Sequence, residues 1–169
     1  MHYKQISSLE EFLSQVEKHL LDPGQRMSVS FPITSTAPWD ADALADANAS
    51  LLERVSGAAN VYAIFTGECG KAGRTLRYFG KTTRKLARQR IRNHLFRKSE
   101  QTGSKLAEVL AHATGGGTVD IAWIEVHPES LRNYLEEELI IRHPEADWNR
   151  ENRSTLRSKL GVALEDTAT

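Results

Sequence analysis

The chain has 169 residues, of which 40% are hydrophobic, and this is enough for one domain with a single core. Its one cysteine, Cys69, excludes an internal disulfide and a cysteine-based zinc site, and no apolar run approaches the length that crosses a bilayer. The formal net charge is zero, which by itself argues against a nucleic-acid partner. We therefore expect a cytoplasmic protein with no membrane segment, either a monomer or a homodimer.

Residues 1–57 predict an N-terminal helical extension. Apolar residues recur at helical spacing over 8–21, and the segment 27–33 alternates in the manner of a short strand. Asp40 is placed to cap a second helix, which ends near Gly57. We expect this extension to cover part of the domain that follows it.

Residues 58–149 predict an α+β domain that begins with a β-hairpin. The segments 60–66 and 75–79 are rich in β-branched and aromatic residues, and a turn-forming loop joins them. The elements predicted after the hairpin are helices over 84–97 and 105–113, a strand over 118–126, and a helix from Pro128 to before Pro144. The order β-β-α-α-β-α predicts a small, largely antiparallel three-stranded sheet, and a polar tail follows at 150–169.

Basic residues are concentrated in one stretch of the chain. From Gly70 to Lys98 there are 11 Lys and Arg residues and no Asp or Glu, so half of the 22 basic residues lie there. Such a stretch predicts a surface that faces nucleic-acid phosphates. The alternative is a solvated helix face that pairs with acidic neighbours once the chain has folded.

Four side chains are expected to line a cleft beside the sheet. Tyr62 and Tyr78 fall on the two strands of the predicted hairpin, and Gly80 ends the second strand. On the next helix, Arg90 and His94 are four residues apart at the edge of the apolar stripe. The side chains expected to contact a nucleic-acid backbone are Lys85, Arg88, Arg92, Arg97 and Lys98. The alternative for the tyrosines is an ordinary place in the core of the hairpin, and for His94 it is that of a histidine at the edge of the core with satisfied hydrogen bonds.

Five short segments within 58–149 resemble the motifs of the GIY-YIG nuclease family. In chain order they are Asn60-Val61-Tyr62, Tyr78-Phe79-Gly80, the arginine helix Arg90-Ile91-Arg92-Asn93-His94, the segment Leu135-Glu136-Glu137-Glu138-Leu139-Ile140, and Pro144 followed by Asn149. Each match is short, but five in the right order on the right predicted elements together favour the family. Asn60 and Val61 depart from the pattern, because they replace the first glycine and the isoleucine of the family.

For two of the site residues, a nearby residue of the same type is an alternative candidate for the same role. The spacing from Tyr78 to Arg90 is longer than in the family, and Arg88 would fit it better, but Arg88 has no histidine four residues later. We therefore prefer Arg90. On the last helix, Glu136 and Glu137 both lie between apolar neighbours, and the leucine-glutamate context of the family favours Glu136.

The resemblance implies a role for each of these residues. Glu136 would anchor one Mg²⁺ or Mn²⁺ ion, and Arg90 would hold the scissile phosphate. Tyr62 would be the general base towards water. Tyr78 would orient water or phosphate, and Asn149 would hold the site together through hydrogen bonds.

The function implied by the resemblance is that of a metal-dependent endonuclease. It would hydrolyse phosphodiester bonds of DNA or, alternatively, RNA, as a restriction-like, repair-like or mobile-element enzyme. Because a free phenol has a pKa of about 10, Tyr62 needs help to act as a base, and Lys81 and His94 are the available helpers. The alternative function is a catalytically inactive nucleic-acid-binding module with the same fold.

Overall fold

The computed structural model describes residues 4–32, 39–97 and 104–150, and its centre is a four-stranded antiparallel sheet with helices on both faces. The strands are β1 (Met27–Val29), β2 (Val61–Glu68), β3 (Thr75–Lys81) and β4 (Gly117–Ile124). The helices of this part of the chain are α1 (Ile6–Leu21), α2 (Ala41–Ala47), α3 (Ala49–Val55), α4 (Ala87–Leu95), α5 (Leu106–Thr114) and α6 (Leu131–Arg142). Lys98 and residues 151–169 of the predicted tail lie outside the described residues.

The strand order is β1-β4-β2-β3, and every neighbouring pair is antiparallel. The α+β class is confirmed, whereas the expected number of three strands was one too few. The additional strand is β1, which comes from the predicted helical extension and pairs with β4, with Ser28 opposite Asp120. The Ser28 hydroxyl donates to the Asp120 carboxylate at 2.5 Å. The edge of β4 that the hairpin leaves open is therefore covered.

Strand β2 lies in the interior of the sheet, and both of its faces are covered. Tyr62 and Ile64 point into a core formed with α2 to α5, while Val61, Ala63 and Phe65 point into a second core formed with α1 and α6. Burial on both faces explains why this segment is continuously apolar and does not alternate. The predicted N-terminal extension contributes to both cores, α1 to one and α2 and α3 to the other.

The second predicted helix is divided into α2 and α3 at Asn48. The Asn48 side chain accepts a hydrogen bond from the Ser30 N–H and donates one to the Ser30 carbonyl, both at 2.8 Å, and so ties the break to the end of β1. Asp40 caps α2 as predicted, since its carboxylate accepts from the N–H groups two and three residues later. In the described part of the chain, no helix combines the length and the apolar character needed to cross a membrane.

Asn60, one of the two residues that depart from the resemblance given above, closes the end of the sheet beside Tyr62. Its buried side chain accepts from the Val126 N–H and donates to the Val126 carbonyl, both at 2.9 Å. Its main-chain N–H donates to the carbonyl of Ile124, and its carbonyl accepts from the N–H of Thr82. The departure from the family pattern therefore joins β2 to the segment that follows β4.

Replacing Asn60 by alanine should lower the free energy of unfolding by about 2 to 4 kcal/mol, because the Val126 N–H and carbonyl would be buried without partners. Urea denaturation followed by circular dichroism measures this change. Asn133 is the matched control, because its side chain is exposed on α6 and Asn133→Ala should change stability by less than about 0.5 kcal/mol. Equal effects of the two substitutions would contradict the bridging role of Asn60.

Candidate active site

Tyr62, Tyr78 and His94 form a cluster of three rings at the open end of the hairpin. Tyr62 is on β2, Tyr78 on β3 and His94 on α4. The ring centroids are 6.2 Å apart for the two tyrosines, 5.7 Å for Tyr62 and His94, and 5.3 Å for Tyr78 and His94. The Tyr62 hydroxyl and Nε2 of His94 are hydrogen-bonded at 2.8 Å. The fold thus brings together three of the residues predicted to form the site.

Gly80 makes this cluster possible, because the two phenol rings pack against its bare Cα. Gly80 lies opposite Tyr62 in the sheet. A Cβ atom at Gly80 would lie 2.5 Å from Cζ of Tyr62 and 2.6 Å from Cε1 of Tyr78, closer than real Cβ contacts. The glycine of the Tyr78-Phe79-Gly80 motif is therefore required for close approach and not for an unusual backbone angle.

Arg90 lies close enough to both phenols for its positive charge to act on them, and it lowers the pKa of Tyr62 and of Tyr78. It is half-buried on α4, one turn before His94. The competing arginine, Arg88, is exposed and forms an ion pair with a glutamate of α3, with 3.5 Å between the charged atoms. Of the two arginines, Arg90 is the one whose charge acts on the phenols.

Glu136 on α6 faces the cluster, whereas Glu137 points to solvent. The exposed fraction of the side chain is 15% for Glu136 and 70% for Glu137. The negative charge of Glu136 acts on both Tyr62 and Tyr78. Lys81, at the end of β3, has its Nζ 2.8 Å from the Glu136 carboxylate and 3.9 Å from that of Glu137. The tertiary structure therefore distinguishes two carboxylates that the helical pattern leaves equivalent.

Glu136 is the residue predicted to hold a metal ion, and its surroundings indicate which ion it could hold. Within residues 4–32, 39–97 and 104–150, no three His, Cys, Asp or Glu side chains gather around one point. At a site built on it, Glu136 would supply carboxylate oxygen to the ion. Mg²⁺ and Mn²⁺ accept such a site, because they prefer oxygen ligands and Mg²⁺ keeps much of its hydration.

Asn149 joins the segment after α6 to the strand that carries Tyr78. Its side-chain carbonyl accepts from the Phe79 N–H, and its side-chain amide donates to the Phe79 carbonyl, both at 2.9 Å. The N–H of Trp148 donates to the carbonyl of Arg77 at 2.9 Å. These bonds hold the edge strand β3, and with it Tyr78, against the segment after α6.

Burial and neighbouring charges set the protonation of the cluster. Burial is the main cause that raises the pKa of Tyr62 well above its ordinary value, and the neighbouring Tyr78 adds to the effect. Burial likewise raises the pKa of Tyr78, while Arg90 acts in the opposite direction on both phenols. The pKa of His94 is held well below its ordinary value, first by burial and then by the positive charges of Arg90 and Lys105. At neutral pH both phenols are protonated and His94 is neutral.

Lys105, which the sequence pattern does not single out, also belongs to the cluster. It lies at the start of α5 and is only 6% exposed. Its Nζ is 5.2 Å from the centre of the Tyr78 ring, and its main-chain N–H donates to Nδ1 of His94 at 3.1 Å. One lysine before a predicted helix carries no specific signal, so only the contacts between α4 and α5 reveal it.

Carboxylates from other parts of the fold pair with much of the basic stretch between Gly70 and Lys98. The ion pairs are Lys71–Glu68, Arg74–Asp120, Arg77–Asp147, Lys81–Glu136, Arg84–Glu125, Arg88–Glu53 and Arg92–Asp42. On α4, Arg88 and Arg92 thus contact acidic side chains of α3 and α2, while Lys85 and Arg97 are exposed. Much of this basic stretch therefore pairs with acidic side chains, as in the alternative interpretation of the sequence.

Comparison with known proteins does not assign the chain to a family. No protein-family model, no curated protein and no solved structure matches it. The resemblance to GIY-YIG nucleases therefore rests on the five sequence segments.

Gly80→Ala should lower the free energy of unfolding by about 1 to 3 kcal/mol, because the added Cβ would force the rings of Tyr62 and Tyr78 apart. Urea denaturation measures the stability, and near-ultraviolet circular dichroism reports the surroundings of the tyrosines. Gly73→Ala is the matched control, since a Cβ there meets nothing within 4 Å. If the two variants were equally stable and had the same near-ultraviolet spectrum, the close approach at Gly80 would be unimportant.

Proposed function

We propose that this protein is a metal-dependent endonuclease of the GIY-YIG type that hydrolyses phosphodiester bonds of DNA. The observation that carries the proposal is the convergence of Tyr62, Tyr78, Arg90 and Glu136 from two strands and two helices. An ordinary core would have apolar side chains at these places. Titratable groups with shifted pKa values that gather next to charged side chains are candidates for a functional site.

The exposed fractions of these side chains support a proposal for which of them a substrate would contact first. Tyr62 has no exposed surface, Tyr78 is 6% exposed, and Arg90 is half-buried. A phosphate that enters the site would therefore contact Arg90 and Tyr78 first, and the guanidinium would donate charge-assisted hydrogen bonds to its oxygens. Tyr62 would act from behind them as the general base towards the attacking water.

Tyr62 can act as a base only after its hydroxyl has lost its proton, so some group must favour the phenolate. Among its charged neighbours, Arg90 lowers the pKa of Tyr62 and Glu136 raises it. Neutralising the Glu136 carboxylate would remove this opposing influence. A divalent cation held by Glu136 would supply the neutralising charge and would polarise the phosphate.

The ion pair between Lys81 and Glu136 favours a second candidate function. The Lys81 ammonium neutralises the negative charge of Glu136, the proposed metal ligand, without a metal ion. In addition, Tyr62 has no exposed surface. Both features fit a nucleic-acid-binding module that keeps the fold and lacks the chemistry. The two candidates differ in one measurable property, which is metal-dependent cleavage.

We expect the purified protein to cleave plasmid DNA with Mg²⁺ or Mn²⁺ and not with EDTA. Glu136→Gln keeps the size of the side chain and removes its charge. This variant should bind DNA at least as tightly as wild type and should cleave it about 100-fold or more slowly, because the cation is no longer anchored. Gel electrophoresis measures cleavage, and fluorescence anisotropy of a labelled duplex measures binding.

Glu137→Gln is the matched control for this experiment, because it removes the same charge one residue away from a side chain that is 70% exposed. It should cleave at the wild-type rate. If Glu136→Gln also cleaved at that rate, the proposed role of Glu136 would be wrong. A wild-type protein that binds DNA and never cleaves it would favour the second candidate.

We propose that Lys85 and Arg97, which are exposed, contact the nucleic-acid backbone. Lys85→Ala combined with Arg97→Ala should weaken DNA binding and reduce the slope of log affinity against log salt by about 2, since each phosphate contact contributes about 0.9. Fluorescence anisotropy at several salt concentrations measures the slope. The control is Lys4→Ala with Lys18→Ala, which removes two exposed charges near α1, on the other face of the sheet. Equal slopes in the two double variants would argue against this surface.

A further inference from the structure

His94 is hydrogen-bonded through both of its ring nitrogens. The residue is 1% exposed. Nδ1 accepts a hydrogen bond from the main-chain N–H of Lys105 at 3.1 Å, and Nε2 lies 2.8 Å from the hydroxyl oxygen of Tyr62. Helix α4 supplies the histidine, the start of α5 supplies the amide and β2 supplies the phenol. Three elements of the fold therefore meet at one imidazole ring.

The hydrogen bond from Lys105 decides which ring nitrogen carries the proton. A main-chain N–H can only donate, so Nδ1 of His94 must present its lone pair and cannot carry hydrogen. A neutral imidazole then has its single proton on Nε2. In a doubly protonated ring, the Nδ1–H of His94 would point at the main-chain N–H of Lys105, and the ring would add positive charge beside Arg90. The doubly protonated form is therefore disfavoured.

We propose that the main-chain amide of Lys105 positions His94 as the tautomer with its proton on Nε2, so that His94 donates a hydrogen bond to Tyr62 and does not take its proton. Lys105 is thus a positioning residue, since it acts on Tyr62 through His94. The tautomer is a property of the folded protein, whereas its consequence for catalysis rests on the proposed nuclease function.

This arrangement determines how His94 assists Tyr62. To receive the phenol proton, Nε2 of His94 would need a lone pair, and that nitrogen already carries hydrogen. A donated hydrogen bond instead stabilises negative charge on the Tyr62 oxygen, in the same direction as the positive charge of Arg90. His94 is therefore a hydrogen-bond donor to the Tyr62 oxygen and not the acceptor of its proton.

Nitrogen-15 NMR of the histidine rings in the full-length chain at neutral pH tests the tautomer directly. Loss of one set of signals in His94→Gln identifies those of His94. We expect Nε2 to be protonated and Nδ1 to be unprotonated. A protonated Nδ1, alone or together with Nε2, would overturn the proposal.

Two substitutions at Lys105 separate the effect of its amide from that of its side chain. Lys105→Met removes the ammonium and keeps the N–H, so the tautomer should not change. Lys105→Pro removes the N–H at a position where proline is tolerated, the start of a helix, so both tautomers should appear. A single Nε2-protonated form in Lys105→Pro would show that the amide is not the positioning group. If Lys105→Pro does not fold, a changed tautomer in Lys105→Met overturns the proposal and an unchanged one supports it.

Cleavage rates test the consequence for Tyr62. Glutamine at position 94 can donate a hydrogen bond from its side-chain amide but cannot take a proton, and leucine can do neither. His94→Gln should therefore lose less than about tenfold in rate, and His94→Leu should lose about 100-fold. Equal losses would show that donation is not the role of His94. The NMR result is independent of cleavage, so a failure of the nuclease proposal is distinguishable from a failure of this one.

Discussion

The contact between the ring of Tyr62 and the main chain at Gly80 is the constraint on which the candidate site depends. Side chains that lie opposite each other on neighbouring strands normally meet through their Cβ atoms. Because Gly80 has no Cβ, the Tyr62 ring occupies that space and Tyr78 closes in beside it. His94 then reaches the Tyr62 hydroxyl from α4. A Cβ atom at this one position would collide with the rings of both tyrosines.

The charges around the rings come from different layers of the fold. Arg90 and Lys105 bring positive charge from α4 and α5, on one face of the sheet, and Glu136 brings negative charge from α6, which packs on the other. In a buried cluster these charges act strongly on one another. Burial, helped by the positive charges of Arg90 and Lys105, keeps His94 neutral, and the pKa values of the phenols respond to the charge of Glu136.

The basic residues that are grouped along the chain have acidic neighbours once the chain is folded. The basic stretch contains no acidic residue, yet Asp42 and Glu53 reach its helix from α2 and α3. Such pairs are exposed and contribute little to stability. Lys85 and Arg97 are exposed on the same helix region and take part in neither of these two pairs.

The sequence by itself determined the α+β class, the hairpin and most of the helices, because hydrophobic periodicity and turn-forming residues are local properties of the chain. The predicted strands and helix also contained the two tyrosines, the arginine and the histidine, and the structure has these residues on the same elements. Only the tertiary structure decided that β1 joins the sheet, that Asn60 bridges to Val126, that Glu136 rather than Glu137 faces the phenols, and that Lys105 completes the cluster. Each of these depends on contacts between residues that are far apart in the chain, or on the rotation of a helix about its axis, and no local pattern encodes either.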